Sequence, residues 1–311
     1  RQSLTIDAEF SKGYYCKGRS LEELGRNEEA ISAFDDFLKR VPDHSVAWHH
    51  RGICAEKIGK DAEAARSYDQ ARQTDPQNVA IIFAEGNALS RLEKYDEAVR
   101  IFDIALGIEP SNGRILLEKG RALARNHRHN DAEIVLHDAA VQLPDEYEPA
   151  WLRGLSLAQL GRHAEAVNEF DAALARVTED PAISFEKGTS LMELQRYEPA
   201  IQAFDQVLAL EPAHTGAMFC RAHALFAREK YSDAIEGYNQ VIENIPDHPA
   251  AWFEKGVSRY RLNDYAACIE DLSRALELDP GNHEAMHTLA RAYMALDRFS
   301  DAIGAFQNLL A

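Results

Sequence analysis

The sequence predicts an all-α solenoid, an array of similar helical repeats stacked along one direction. A small residue returns every 34 positions, as glycine from Gly18 to Gly256 with Ala222 as an exception, and as Ala290 in the last copy. Twelve residues after each comes an alanine or a cysteine, and four residues further a large apolar side chain such as Phe34. A proline closes most copies. Self-similarity at a fixed period is the signature of a stacked array.

The period divides the chain into nine repeats without insertions, and we group residues 11–146 as repeats one to four and 147–311 as repeats five to nine of one continuous solenoid. Residues 1–10 align with the tail of a second helix, so they are predicted to end a preceding, truncated repeat. The last repeat stops five residues short, and neither end carries a polar cap. We therefore expect the chain to be part of a longer array. The repeats are 11–44, 45–78, 79–112, 113–146, 147–180, 181–214, 215–248, 249–282 and 283–311.

Helix-ending signals recur within each repeat. Gly25, Gly59 and Gly161 are predicted to end a first helix, where a left-handed backbone favours glycine, and the prolines end the second helix. A 34-residue repeat with this small, aromatic and proline pattern resembles the tetratricopeptide repeat over residues 11–311. The resemblance implies two antiparallel helices per repeat, a right-handed superhelix and an inner groove that binds a ligand.

Composition limits the partners. The formal charge of −17 disfavours nucleic acid, which requires a basic surface, and favours neutral or basic partners. No apolar run is long enough for a membrane helix and no signal peptide opens the chain, so no membrane partner is expected. Four cysteines without metal-ligand spacing are predicted to be buried free thiols in a reducing compartment, which indicates a cytoplasmic protein. They are Cys16, Cys54, Cys220 and Cys268.

The groove-facing side chains follow from helical periodicity. Counting places from the first residue of each repeat, places two, five, nine and twelve share one side of the first helix at 100° per residue. The resemblance makes this side the wall of the groove. In the carboxyl-terminal repeats it is an apolar stripe, which predicts binding of a peptide or helix with apolar anchors, unless tight winding of the repeats buries the stripe. The stripe comprises Phe185, Met192, Phe219, Phe226, Phe253, Tyr260 and Met294.

Polar side chains occupy the same wall in the amino-terminal repeats. Arg19, Asn87 and Arg121 stand at place nine and are predicted to add polar contacts to a partner. Two specialised binding modes of the resembling family are weakened. The lysine–asparagine pair with which co-chaperone members hold a peptide carboxylate is missing. Place six also lacks the asparagines of a sugar-transferase relative.

The stretch "FEKG" occurs at 185–188 and 253–256. Its lysine stands at place seven, where most repeats have a basic residue, and an acidic column follows the aromatic of the second helix. Because partly buried charges need partners, we predict a ladder of ion pairs along the seam of the array. The basic column is Lys17, Arg51, Lys119, Arg153, Lys187, Arg221 and Lys255, and the acidic column is Asp35, Asp69, Asp103, Asp171 and Asp205.

Motifs for catalysis are weak. "HEAMH" at 283–287 matches the zinc-protease pattern HExxH but lacks a third ligand downstream, so coincidence is favoured. His127, His129, His137 and His163 are expected to be polar loop residues in preference to a metal site. The sequence therefore predicts a non-enzymatic interaction scaffold with no cofactor and no metal. Self-assembly through repeat ends or convex faces, giving a homo-oligomer, stays open, and a zinc-dependent hydrolase is the remote alternative.

Overall fold

The computed structural model describes the backbone of residues 2–310 and the side chains of residues 11–307 and 309. These residues form eighteen α-helices, and the described range contains no strand. The helices fall into two compact blocks that divide between Leu160 and Gly161. An all-α solenoid of helix pairs, as predicted from the sequence, is therefore the fold.

The amino-terminal block contains nine helices, with first and second helices alternating. They are α1 (Gln2–Glu23), α2 (Asn27–Leu38), α3 (Ser45–Lys57), α4 (Asp61–Thr74), α5 (Val79–Arg91), α6 (Tyr95–Ile108), α7 (Gly113–Arg125), α8 (His129–Gln142) and α9 (Glu148–Gln159).

The carboxyl-terminal block begins with a second helix and continues the alternation. Its helices are α10 (His163–Leu174), α11 (Pro181–Glu193), α12 (Tyr197–Leu210), α13 (Thr215–Ala227), α14 (Tyr231–Asn244), α15 (Pro249–Arg261), α16 (Tyr265–Leu278), α17 (His283–Ala295) and α18 (Phe299–Leu310).

The turn between the two helices of a repeat requires a left-handed residue. Gly25, Gly59 and Gly161 have φ of 72°, 73° and 73°, as predicted. The same place is left-handed in the other six repeats although it holds no glycine there, with φ from 57° to 62°. The turn geometry is thus imposed by the packing of the helix pair, because L-residues adopt this conformation at a cost. These six residues are Glu93, His127, Gln195, Glu229, Asn263 and Asp297.

Most first helices begin with a side chain that accepts a hydrogen bond from the backbone. His44 Nδ1 accepts from the Ala47 amide at 3.0 Å, and Asp180 Oδ1 accepts from the Ile183 amide at the same distance. Each capping residue is the last residue of the preceding repeat. Such caps satisfy amides that the helix leaves unpaired, so this position fixes where each repeat starts.

The core lies between the two helices of each repeat. The large side chain of the second helix, such as Phe204, is fully buried against the glycine of the first helix. A Cβ atom added to Gly188 would lie 2.6 Å from Phe204 Cε1, so only glycine allows this approach. The recurring glycine is therefore explained by close helix packing, as predicted.

First helices of successive repeats also touch one another. In the carboxyl-terminal block α11 contacts α13, α13 contacts α15, and α15 contacts α17. No pair of second helices in the described chain approaches as closely. The face formed by first helices is therefore the narrower one in this block, and the predicted groove residues lie on it.

The amino-terminal end differs from the prediction. Helix α1 runs without a break from Gln2 to Glu23, so the residues before Ser11 continue the first helix of repeat one. They were predicted to be the tail of a preceding second helix, which would end in a turn. The stretch lacks the proline that follows most of the other second helices, and nothing in it stops a helix. Arg1 lies outside the described residues.

The predicted ladder of ion pairs is confirmed at four steps. Each joins the acidic residue of one repeat to the basic residue of the next, at 2.5–2.6 Å. The lysine of "FEKG" at 187 is thus a structural residue that holds neighbouring repeats together. The four pairs are Asp35–Arg51, Asp103–Lys119, Asp171–Lys187 and Asp205–Arg221.

Two other steps of the ladder are rearranged. Glu85 replaces the basic residue in repeat three, and Arg72 then bridges it to Asp69. In repeat eight Lys255 is buried and pairs at 3.1 Å with the buried Asp271 of its own repeat. The change follows from the preceding repeat, which offers Asn239 where the others offer aspartate.

Candidate functional site

The predicted apolar stripe lies on the first helices of the carboxyl-terminal block. Phe185 and Met192 are on α11, and the remaining members are spread over α13, α15 and α17. Six of the seven side chains are half-buried, and Met294 is the most exposed at 49%. The stripe therefore keeps apolar surface in solvent while part of each side chain packs inward.

The inward contacts of the stripe are aromatic. The Phe219 ring lies 5.7 Å from Tyr238 and 5.3 Å from His248, between centroids. The Phe185 ring lies 5.0 Å from His214. These distances are within the range of favourable ring pairs. The alternative prediction of burial by packing thus accounts for part of each ring, and the rest of each ring is exposed to solvent.

The three polar residues predicted for the groove of the amino-terminal block are partly engaged in contacts within the protein. Arg19 Nη1 donates to Glu22 at 2.8 Å and also contacts the ring of His50. Arg121 Nη2 donates to Glu148 Oε1 at 3.2 Å. Asn87 is half-buried, and its Oδ1 atom has no hydrogen-bond partner in the described chain. Both arginines are therefore already neutralised by carboxylates of the protein.

These three polar residues do not form one cluster. Asn87 on α5 and Arg121 on α7 lie on first helices that touch each other, whereas Arg19 is on α1. Helix α1 contacts α3. Asn87 and Arg121 thus lie on adjacent first helices, and Arg19 belongs to a separate group with Glu22 and His50. Burial lowers the pKa of His50, which favours its neutral form within that group.

Sequence reasoning overlooked place six as a source of half-buried titratable side chains. Glu186, Cys220 and Glu254 occupy it on α11, α13 and α15, and all three are half-buried. Burial raises the pKa of each of these groups. The signal that would have found them is the acidic residue beside the phenylalanine in both copies of "FEKG".

The prediction for the cysteines is only partly right. All four are free, and Cys54 and Cys268 are buried as predicted. Cys16 is exposed and Cys220 is half-buried, which corrects the prediction for these two. The reason is place six, which lies on the flank of the first helix, outside its contact with the second helix.

The motifs for metal chemistry do not assemble in the parts of the chain that the structure describes. His283 and His287 of "HEAMH" are both exposed on α17, and the His287 ring packs 6.2 Å from Phe306. His127 and His129 lie 6.0 Å apart between ring centroids. No group of three or more histidine, cysteine, aspartate or glutamate side chains in the described residues is placed to hold a metal ion.

Comparison with known families fits this arrangement of helix pairs. A family model described as tetratricopeptide repeat matches residues 15–79, 83–148, 152–215 and 219–283, and a second model of the same description matches 260–311. The chain belongs to the tetratricopeptide-repeat family. The resemblance read from the period of 34 residues is thereby confirmed.

Solved structures of other tetratricopeptide-repeat arrays are similar in fold. A tetratricopeptide repeat protein from Parabacteroides merdae is 17% identical with a TM-score of 0.56, and the match covers 80% of this chain and 98% of that one. MamA from Desulfovibrio magneticus is 22% identical with a TM-score of 0.52, covering 55% of this chain and 96% of that one. At this level of identity the similarity concerns the fold alone.

The search of curated proteins gave no match. Within the described residues, no helix of this tetratricopeptide-repeat protein combines the length and the apolarity that crossing a bilayer requires.

Proposed function

We propose that this tetratricopeptide-repeat protein is a non-enzymatic interaction scaffold that binds a peptide or helix of another protein on the first helices of its carboxyl-terminal block. Proteins of this repeat family serve as protein-interaction scaffolds, which supports the general class. The observation that carries the finer proposal is the half-exposed apolar stripe from Phe185 to Met294. An exposed apolar patch on a protein surface favours a partner site.

The chemistry of the stripe suggests how a partner is held. The five aromatic rings and two methionines of the stripe offer contact area with little loss of side-chain entropy, which is typical of interface anchors. The partner therefore carries apolar side chains at helical or alternating spacing. In the amino-terminal block, polar contacts by Arg19 and Arg121 would require exchange of their internal carboxylate partners. We accordingly assign the main affinity to the carboxyl-terminal stripe. We place this activity in the cytoplasm, on the cysteine usage read from the sequence.

Selection from a displayed library of random 12-residue peptides tests the proposal without knowledge of the natural partner. Peptides enriched on the wild-type protein are then measured against the double variant Tyr260→Ser, Met294→Ser. We expect affinity to fall by about tenfold or more, because truncating interface anchors costs more than 1 kcal/mol each.

A matched control uses exposed apolar residues outside the stripe. Leu210 and Leu262 are 41% and 44% exposed. The double variant Leu210→Ser, Leu262→Ser should leave peptide affinity within about twofold, since it removes no contact with the ligand. Equal loss in both variants, or no enriched peptide at all, would contradict the proposal.

Self-assembly is the second candidate, and one observation favours it. Ile303 on α18 is 58% exposed. With the exposed Phe299 it forms an apolar patch on α18. Light scattering at several concentrations would reveal an oligomer, and Ile303→Glu should return it to monomer. A monomer at every concentration removes this candidate.

A further inference from the structure

Repeat two contains a hydrogen-bonded chain of three side chains on its groove side. The hydroxyl of Tyr68 donates to Glu56 Oε2 at 2.8 Å. Glu56 Oε1 in turn pairs with Arg91 Nη1 at 3.1 Å. The buried hydroxyl is satisfied by a carboxylate, and the carboxylate is neutralised by a guanidinium. All three groups come from the protein itself.

Repeat seven has the same tyrosine without this arrangement. Tyr238 occupies the place of Tyr68 and is fully buried, yet its hydroxyl has no hydrogen-bond partner in the described chain. The cause is Phe226, which stands where repeat two has Glu56. A buried hydroxyl without a partner costs about 1–3 kcal/mol, so the pocket around it calls for an explanation.

Other polar groups face the same pocket. Glu254 from the next first helix lies 3.8 Å from His223 Nδ1, measured from its Oε1 atom, and His223 Nδ1 is itself buried without a hydrogen-bond partner. The Phe219 ring connects Tyr238 to this pair, because its centroid lies 5.7 Å from that of Tyr238 and 6.4 Å from that of His223. Burial, and then the negative charge of Glu254, raise the pKa of Tyr238. Cys220, on the same helix as His223, is half-buried. We call Tyr238, His223, Glu254 and Cys220 the Tyr238 pocket.

We propose that the Tyr238 pocket binds a basic side chain, arginine above all, of the segment that occupies the apolar stripe. This inference rests on the proposed function and names a property of the partner. The pocket combines a carboxylate, a phenol oxygen and an imidazole nitrogen, all of which accept hydrogen bonds. Arginine and lysine are the cationic side chains that only donate, and a guanidinium offers five N–H groups in a planar fork.

Repeat two supports the choice of a guanidinium. In repeat two, Glu56 accepts the hydrogen bond of the tyrosine and Arg91 neutralises Glu56. Repeat seven has the tyrosine and a neighbouring carboxylate, Glu254, but no arginine among the described residues pairs with this carboxylate. Arg261 stands at the repeat place of Arg91 but is exposed and forms no ion pair in the described chain. Its counterpart carboxylate has been replaced by Phe226. A partner is the remaining source, and the net charge of −17 attracts a basic one.

The pocket also adjoins the stripe. His223 lies between Phe219 and Phe226 on α13, with ring centroids 6.4 and 6.3 Å away. A bound segment that covers these rings therefore passes the carboxylate of Glu254. It would exclude water there, and a charge-assisted hydrogen bond in such a setting is about twice as strong as a neutral one.

The test uses the peptides enriched by the display selection described above. Each arginine in the best peptide is replaced by citrulline, which keeps the shape and removes the charge. We expect the replacement of one arginine to weaken peptide binding to the wild-type protein by about tenfold or more. In Glu254→Gln the arginine and citrulline peptides should differ by less than about threefold. Tyr238→Phe should reduce the preference by an intermediate factor.

Glu186→Gln is the matched control, because it removes one negative charge from place six of another first helix and leaves the Tyr238 pocket intact. It should keep the full preference for arginine, and so should Arg261→Gln. Circular dichroism checks that each variant is folded. Enriched peptides without a basic residue, or an unchanged preference in Glu254→Gln, would overturn the inference and leave the apolar stripe as a binding site. If no peptide is enriched, the proposed function fails and the inference fails with it.

Discussion

Repeats two and seven have a tyrosine at the same place, but its hydroxyl is hydrogen-bonded in repeat two and, within the described residues, lacks a partner in repeat seven. Tyr68 donates its hydroxyl to Glu56, which Arg91 neutralises. Tyr238 keeps its hydroxyl buried without a partner, beside Glu254. Both tyrosines stand at the same place of their repeats, and the difference lies in a few side chains around them.

The comparison teaches that the helix pair tolerates large changes of chemistry on its groove side. In repeat two the polar groups are satisfied within the protein, and in repeat seven they are arranged without mutual satisfaction. Real proteins depart from full internal satisfaction mostly where function requires it. Repeat seven is therefore where a ligand is to be sought, and repeat two is the structural reference.

The largest expected effect concerns the small residue behind the tyrosine ring. A Cβ added to Gly52 would lie 2.7 Å from Tyr68 Cδ1, and the buried ring has no room to move. In repeat seven the ring of Tyr238 coexists with Ala222 because Gly237 on the second helix makes room instead. We expect Gly52→Ala to destabilise the protein by about 3 kcal/mol, since overpacking a filled core is costly.

Gly107 provides the control for this substitution. It lies inside helix α6, and a Cβ there would have no atom within 4 Å. Gly107→Ala should stabilise the protein by about 0.5–1 kcal/mol through helix propensity alone. Chemical denaturation of both variants gives the free energies of unfolding. A small loss for Gly52→Ala would mean that the two repeats do not differ in how tightly the ring is enclosed.

Removing each hydroxyl tests the comparison directly. Tyr68→Phe should lower the free energy of unfolding by about 1–2 kcal/mol, because Glu56 loses a buried hydrogen bond. Tyr238→Phe should change it by less than about 0.5 kcal/mol, or increase it, because the hydroxyl has no partner to lose. Both substitutions keep the ring and differ only in the environment of one oxygen.

Urea denaturation at pH 7 measures both changes under identical conditions. An equal loss in the two variants would show that the hydroxyl of Tyr238 is satisfied in solution. The contrast between repeats two and seven would then disappear, and with it the reason for a ligand at the Tyr238 pocket.

The pH dependence of folding stability tests the environment of Glu254 in repeat seven. Burial raises the pKa of Glu254; the neighbouring His223 opposes this shift and the neighbouring Glu284 adds to it. The folded state therefore binds more protons than the unfolded chain between the ordinary carboxyl pKa of about 4.3 and the raised value. Stability from this group is fully present below the ordinary pKa and is lost as the pH rises through the raised pKa.

Glu254→Gln replaces the carboxylate by a neutral side chain of similar shape. At pH 7 it should stabilise the unliganded protein by about 1 kcal/mol, and at pH 4 the gain should vanish, because the wild-type group is then protonated. Thermal unfolding of both proteins at the two pH values measures the difference. A gain that is the same at pH 4 and pH 7 would contradict a buried, ionised Glu254.

Much of the fold could be predicted because the period of 34 residues fixes every helix pair at once. The glycine turns at Gly25 and Gly59 were predictable from composition. The left-handed residues Glu93 and Gln195 were not, because nothing in a glutamate or glutamine indicates that conformation. The ion-pair ladder was predictable as two columns. Its pairing between successive repeats follows from packing that a single repeat does not contain.

The candidate site was predicted in part. Helical periodicity placed Phe219 and Phe226 on the groove side. It could not predict how much of the Phe219 ring packs against Tyr238, or of the Phe226 ring against Tyr231. The Tyr238 pocket was missed because its members belong to two repeats and to different places. Only the stacking of α13 on α14 and α15 brings them together.

The smallest expected effect lies at the turn between the helices, where repeat two has Gly59 with φ of 73° and repeat seven has Glu229 with φ of 61°. A Cβ on Gly59 would meet no atom within 4 Å, so Gly59→Ala adds only the strain of a left-handed residue. We expect a loss of about 1 kcal/mol. Glu229→Gly relieves that strain but increases the entropy of the unfolded chain, so the expected gain is about 0.5 kcal/mol or less. Thermal unfolding shows whether each variant is less or more stable than the wild-type protein. Lower stability of both variants would mean that the glutamate side chain stabilises the turn by contacts of its own.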